Sequence, residues 1–120
     1  MFDFEKLQVY LKAREFNSEI KNEILSLSTI DNASKFQLRR AAMSIMLNIA
    51  EGTSRFSRPE KRHYFVIARG SVFECVAIND ILASEKIISD DVKCKYYAKA
   101  EEISKMLFAM IKFLENKKPV

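Results

Sequence analysis

Glycine and proline are nearly absent from this chain of 120 residues, at two apiece, and tryptophan is missing altogether. So few chain-breaking residues argue against a turn-rich all-β fold and for long helices with few interruptions. The single histidine, His63, cannot hold a metal by itself. Glu60 and His63 form one Glu-x-x-His pair, but a di-iron bundle needs a second such pair on a partner helix. Gly-x-Gly-x-x-Gly, P-loop and His-x-x-x-His motifs are absent, so no cofactor and no metal are expected. The two cysteines, Cys75 and Cys94, form no Cys-x-x-Cys pair and are expected to be reduced thiols in a cytoplasmic protein. No run of about 18 apolar residues occurs, so no membrane span is expected. The stretch from Met1 to Lys6 lacks the basic and apolar regions of a signal peptide.

What is present is helical periodicity. Apolar residues make up 48% of the chain and charged residues 30%, enough for one domain over residues 1–120 to bury a core without staples. Four helices are expected, over about 3–27, 34–53, 58–86 and 90–116. In the first, Asp3 is the expected N-cap, and Leu7, Leu11, Ile20, Ile24 and Leu27 mark the apolar face. Ser34 and Gln37 form an expected capping box for the second, whose inner face is Leu38, Ala41, Ala42, Ile45 and Ile49, with Gly52 at its end. Ser57 and Glu60 form another, with Pro59 in the first turn, where its missing N–H costs nothing. The tail from Lys117 to Val120 is expected to fray. Short connections make consecutive helices antiparallel, so the fold class is an all-α, up-down-up-down four-helix bundle.

Helix four is too apolar for its own core. Tyr96, Ile103, Leu107, Met110 and Leu114 form one stripe, and Tyr97, Phe108, Ile111 and Phe113 widen it. A bundle helix needs a stripe of only about 100°, and surplus apolar surface points to self-association.

Charge is unevenly placed. Residues 35–69 hold eight of the basic residues and only two acids, Glu51 and Glu60. Arg55, Arg58, Lys61 and Arg62 gather at the junction of helices two and three, interleaved with Phe56 and Tyr64, and Arg39 adds to the patch if exposed. Cations among aromatics suit a phosphate-rich ligand with stackable bases. A solvated basic face that aids solubility is the plainer reading. A second constellation is polar. Arg40, Ser44, Asn48 and Glu51 recur on one face of helix two, and Arg69, Ser71 and Glu74 surround Gly70 on helix three. They are expected to form a partly buried network in which Arg69 or Arg40 meets Glu51 or Glu74, with close helix approach offsetting the cost of Gly70. An active site built on Glu51, Glu74, Ser44 and Arg69 is the catalytic alternative, although nothing supplies a nucleophile–base pair.

Three segments carry a family resemblance: Phe4 to Leu7 with Ala13 and Arg14; Gln37 through Asn48-Ile-Ala-Glu-Gly52; and Phe65 through Ala68-Arg-Gly-Ser71 to Glu74. Together they resemble the bacterial four-helix-bundle family named for the 23S rRNA intervening sequence, over nearly the whole chain. The resemblance implies a small cytoplasmic protein that assembles as a ring, typically a pentamer, with no established catalytic activity. It also implies likeness to the accessory variability protein of diversity-generating retroelements, a basic pentameric ring that works with a reverse transcriptase and binds nucleic acid. Arg39, Arg40, Asn48, Glu51, Gly52, Arg69, Gly70, Ser71 and Glu74 carry over as signature positions and not as catalytic ones. Met46 stands where the family commonly has proline, which implies a straighter helix two.

The expected function is therefore a non-enzymatic, homo-oligomeric accessory module that binds RNA or DNA backbone through Arg39, Arg55, Arg58, Lys61 and Arg62. The alternative is a protein-interaction scaffold, for instance for a polymerase-like enzyme, with no direct nucleic-acid binding.

Overall fold

The computed structural model describes residues 1–115. A 3-10 turn, Asp3–Lys6, precedes α1 (Gln8–Ile20), which runs into a π-helical turn at Lys21–Leu25. Then follow α2 (Asn32–Thr53), α3 (Arg58–Ser84) and α4 (Asp90–Glu115). The end of helix four at residue 116 and the tail beyond it lie outside the described residues. Helix α1 packs on α2 and α4, and α3 packs on α2 and α4, so the four helices form an up-down bundle around one core. The buried stripe of each helix follows from its 3.6-residue period: Val9, Ala13, Phe16 and Ile20; Leu38, Ala42, Ile45 and Ile49; Phe65, Ala68, Val72 and Cys75; Tyr96, Ile103 and Leu107. Among the described residues no helix is long and apolar enough to cross a membrane.

The ends of the helices depart from the sequence reading in instructive ways. Asp3 caps no long helix. Phe4 packs on Tyr10 with ring centroids 4.7 Å apart, and Leu7 in extended conformation separates the first turn from α1. This break re-phases the helix, so Leu11 faces solvent while Val9 and Ala13 are buried. Ser34 is not the cap of α2. The carboxylate of Asp31 accepts from the Ser34 N–H at 3.0 Å, and the helix starts at Asn32. An anionic acceptor suits the positive end of the helix dipole. Ser57 does cap α3, accepting from the Glu60 N–H at 3.2 Å and donating to its carboxylate at 2.9 Å. Helix α3 stops at Ser84 rather than at Lys86. There Lys86 takes a left-handed conformation (φ 61°), and the Ile87 N–H returns to the Leu82 carbonyl at 2.9 Å. This is a Schellman ending in which lysine occupies the position that glycine favours.

The two glycines have opposite surroundings. A Cβ on Gly52 would lie 2.6 Å from the Phe65 ring and 3.2 Å from the Tyr64 Cβ. Gly52 thus lets the last turn of α2 lie against the start of α3. A Cβ on Gly70 would meet nothing within 4 Å, so close approach within this chain does not account for that glycine.

Helices α1 and α4 are joined by charge. Lys12 pairs with Glu102 at 3.0 Å and Lys99 with Glu19 at 3.2 Å. The Glu23 carboxylate accepts from Lys95 at 2.8 Å and from the buried Tyr96 hydroxyl at 2.6 Å. Those hydrogen bonds, Lys95 first, hold the Glu23 carboxyl below its ordinary value of 4.5. Burial, followed by the Glu23 contact, raises the Tyr96 phenol.

Two sets of measurements check this account. In urea denaturation Gly52→Ala is expected to lose about 1–3 kcal/mol, because the buried Phe65 ring must move. Lys86→Gly is expected to gain about 1 kcal/mol by relieving the left-handed residue. A carboxyl whose folded pKa is depressed stabilises the fold above its unfolded value, and that contribution is lost as pH falls through the folded value. The melting temperature should therefore drop as pH falls below 4.5, and Glu23→Gln should flatten part of that drop.

Candidate nucleic-acid interface

The connection between α2 and α3 is four residues long, Ser54 to Ser57, because the Gly52–Phe65 contact brings the two helices together just below it. Arg55 and Phe56 occupy this turn, and Arg58, Lys61 and Arg62 follow on the first turns of α3. The structure brings these four cations together as expected, and it occupies each of them. Arg55 donates through Nη2 to Glu51 at 2.9 Å and to the Tyr64 hydroxyl at 2.8 Å, while its guanidinium carbon sits 4.7 Å from the Tyr64 ring centroid. Lys61 donates to the Thr53 carbonyl at 3.2 Å, satisfying an open acceptor at the end of α2. The Arg62 Nε donates to Glu115 at 2.6 Å, and its Nη2 also pairs with that carboxylate. Arg58 lies over the Phe113 ring, 5.4 Å from its centroid. Hydrogen bonds from Arg62 and Lys112 hold the Glu115 carboxyl below its ordinary range. Phe56, in contrast, is 100% exposed.

Arg39 does not belong to this cluster. It is exposed on α2, fourteen residues before Thr53, or about 20 Å along the helix at 1.5 Å per residue. Phe113 and Glu115, which complete the junction, were missed by the sequence reading. The up-down order holds the signal for them, since it sets the end of α4 beside the start of α3.

The polar constellation divides into two. Ser71 donates to the Ser44 hydroxyl at 2.9 Å, and Asn48 donates to that hydroxyl at 2.9 Å and to the Ser44 carbonyl at 2.8 Å. These three form a small, partly buried link between α2 and α3. The charged members stand apart from it. Glu51 binds Arg55 rather than Arg40 or Arg69. Arg40 and Glu74 are exposed, and no ion pair joins them. Arg69 is half-buried between Phe73 and Phe108, 4.8 and 5.3 Å from their centroids, and its Nε finds no acceptor among the described residues. The charge pairs expected across these helices do not form, because long side chains on helix flanks find aromatic rings and near neighbours first. The Ser44–Ser71 register places Glu51 and Glu74 at levels roughly 15 Å apart along the bundle, so the two carboxylates do not converge on one substrate. A further polar residue, Asn79, was also missed. It is 3% exposed on the core face of α3, and its Oδ1 has no hydrogen-bond partner among the described residues. Only its position in the apolar stripe could have flagged it.

Burial pushes the Cys75 thiol up to about 12, whereas Cys94 is exposed. Among the described residues no three His, Cys, Asp or Glu side chains gather into a metal-binding group.

Comparison with known proteins agrees with the fold and adds a family. No curated protein matches the chain. A crystal structure of a protein of unknown function from Bacteroides thetaiotaomicron, assigned to the S23 ribosomal protein family, superposes with a TM-score of 0.81 at 25% identity. The match covers 87% of this chain and 98% of that one. The family profile described as 23S rRNA-intervening sequence protein matches residues 5–109. That span takes in α1, α2, α3 and most of α4, with the serine–asparagine link and the four cations of the junction, and the chain accordingly belongs to the 23S rRNA-intervening sequence protein family.

Proposed function

We propose that this protein is a non-enzymatic, self-associating accessory module of the cytoplasm that binds RNA or DNA backbone at the α2–α3 junction. The observation that carries this reading is Phe56, wholly exposed at the tip of a turn flanked by Arg55 and Arg58. A phenyl ring in water among cations gains nothing for the fold. It provides a stacking surface for an unpaired base, while the guanidinium and ammonium groups beside it meet phosphates. The family description mentions 23S rRNA, which is in keeping with that class of ligand. Contact is to the backbone, since guanidinium and ammonium groups pair with phosphate, and stacking on Phe56 is tolerant of sequence. The internal ion pairs set the strength of binding. Phosphates must compete with Glu51 for Arg55 and with Glu115 for Arg62.

Titrations of labelled structured RNA and duplex DNA at two salt concentrations test this. Affinity should fall steeply with salt. Arg58→Ala should weaken binding to all sequences alike and reduce the salt slope by about one. Phe56→Ala should cost about 1–3 kcal/mol with a single-stranded ligand and less with duplex. Glu115→Gln should tighten binding by releasing Arg62. Absence of binding at low salt would sink the reading and leave the protein-interaction scaffold in its place.

A further inference from the structure

Aromatic rings and cations alternate along the outer α3–α4 surface. Arg58 lies over Phe113, Lys112 over Phe108, and Arg69 between Phe108 and Phe73. These rings are surplus to the core: Phe113 is 65% exposed, Phe108 46% and Phe73 56%. Between the two helices an open groove of about 420 Å³ leads from Glu115 and Arg62 past Lys112 to Arg69. Three cations line it against one acid, Glu115, which Arg62 and Lys112 already share. Arg69 has no ion pair among the described residues, and its buried Nε lacks an acceptor there. Past Phe73 the surface changes character. The next groove, of about 600 Å³, sets Asp80 and Glu101 among its cations, with Lys93 2.8 Å from Asp80 and Lys105 4.0 Å from Glu101. The excess of positive charge therefore stops at Phe73.

We infer that this groove is a track for a single nucleic-acid strand, running from the α2–α3 turn along α3 to Phe73, with Arg69 and Lys112 on its phosphates and Phe113, Phe108 and Phe73 against its bases. The inference rests on the nucleic-acid reading of the basic junction and names the form of the ligand. A duplex keeps its bases stacked on one another, so it offers nothing to exposed rings. Its convex backbone also reaches poorly a guanidinium held between rings in a groove. A single strand presents both groups, since each unpaired base has a face to stack and each phosphate can enter the groove. The strip from Arg58 to Phe73 is about 22 Å long at 1.5 Å per residue. That is room for about four nucleotides, the low end of the range for single-strand sites. Phe113 and Phe108 stand five positions apart on α4, about 7.5 Å along its axis, a spacing that an extended strand can match base for base. The strand supplies what the chain lacks: an anion for Arg69 and cover for three rings.

Fluorescence anisotropy with a labelled oligothymidylate, alone and paired with oligoadenylate, tests the track. The wild-type protein should bind the single strand about tenfold or more tighter than the duplex. Phe73→Ala and Phe108→Ala, both at exposed positions, should each lose about five- to a hundredfold for the single strand and little for the duplex. Arg69→Ala should also weaken the single strand selectively and lower its salt slope by about 0.7. Lys105→Ala, beyond Phe73, should change neither, whereas Arg58→Ala, at the junction, should weaken both. Helical circular dichroism and the mass by light scattering should match the wild type in every variant. A duplex bound as tightly as the single strand would overturn the track and leave the junction site standing. So would track variants that bind the strand normally while Arg58→Ala does not. A change of mass in Phe73→Ala or Phe108→Ala would assign the rings to a contact between protein chains and overturn the track as well. Binding of neither oligonucleotide at low salt would sink both the track and the junction site.

Discussion

The contact of Gly52 with the Phe65 ring is the constraint on which the rest of this structure depends. Helices of ordinary side chains sit 8–10 Å apart, and a side chain at position 52 would push the start of α3 away from the end of α2. A glycine in the last turn of α2 removes the one atom that would collide with Phe65. The register set there continues down the pair. Two turns lower, Ser44 and Ser71 meet at hydrogen-bond distance, small side chains that again allow proximity. The same closeness projects the turn residues outward, which is why Arg55 can reach both Glu51 and Tyr64 and why Phe56 has nowhere to pack.

Electrostatics at the junction works in two directions. Each surface ion pair contributes little to stability, since solvent screens it and two long side chains lose freedom. Its larger effect is on position. Arg55 is held against Tyr64, and Arg62 is held by Glu115, so these cations are preordered at the cost of partial neutralisation. On the proposed function, a phosphate arriving there would exchange one anion for another instead of ordering a free side chain, which would favour modest affinity and a strong response to salt.

The architecture was legible in the sequence because it follows from periodicity and from scarcity of glycine and proline, both of which are distributed over many residues. The helix ends were less so. Ser34 satisfied the pattern of a capping box, but Asp31, three residues earlier, offered a charged acceptor and won. The π turn at Lys21–Leu25, in which the consecutive residues Ile24 and Leu25 are both buried, left no sequence signal. In the candidate site the clustering of Arg55, Arg58, Lys61 and Arg62 could be read from their spacing. Their partners Glu115 and Phe113 come from 53 and 55 residues away and depend on tertiary packing. The polar network was half legible. Hydroxyl and amide side chains at helical spacing meet where helices are close, as Ser44, Asn48 and Ser71 do. Charges at the same spacing are long enough to choose other partners, and Arg69 chose two aromatic rings.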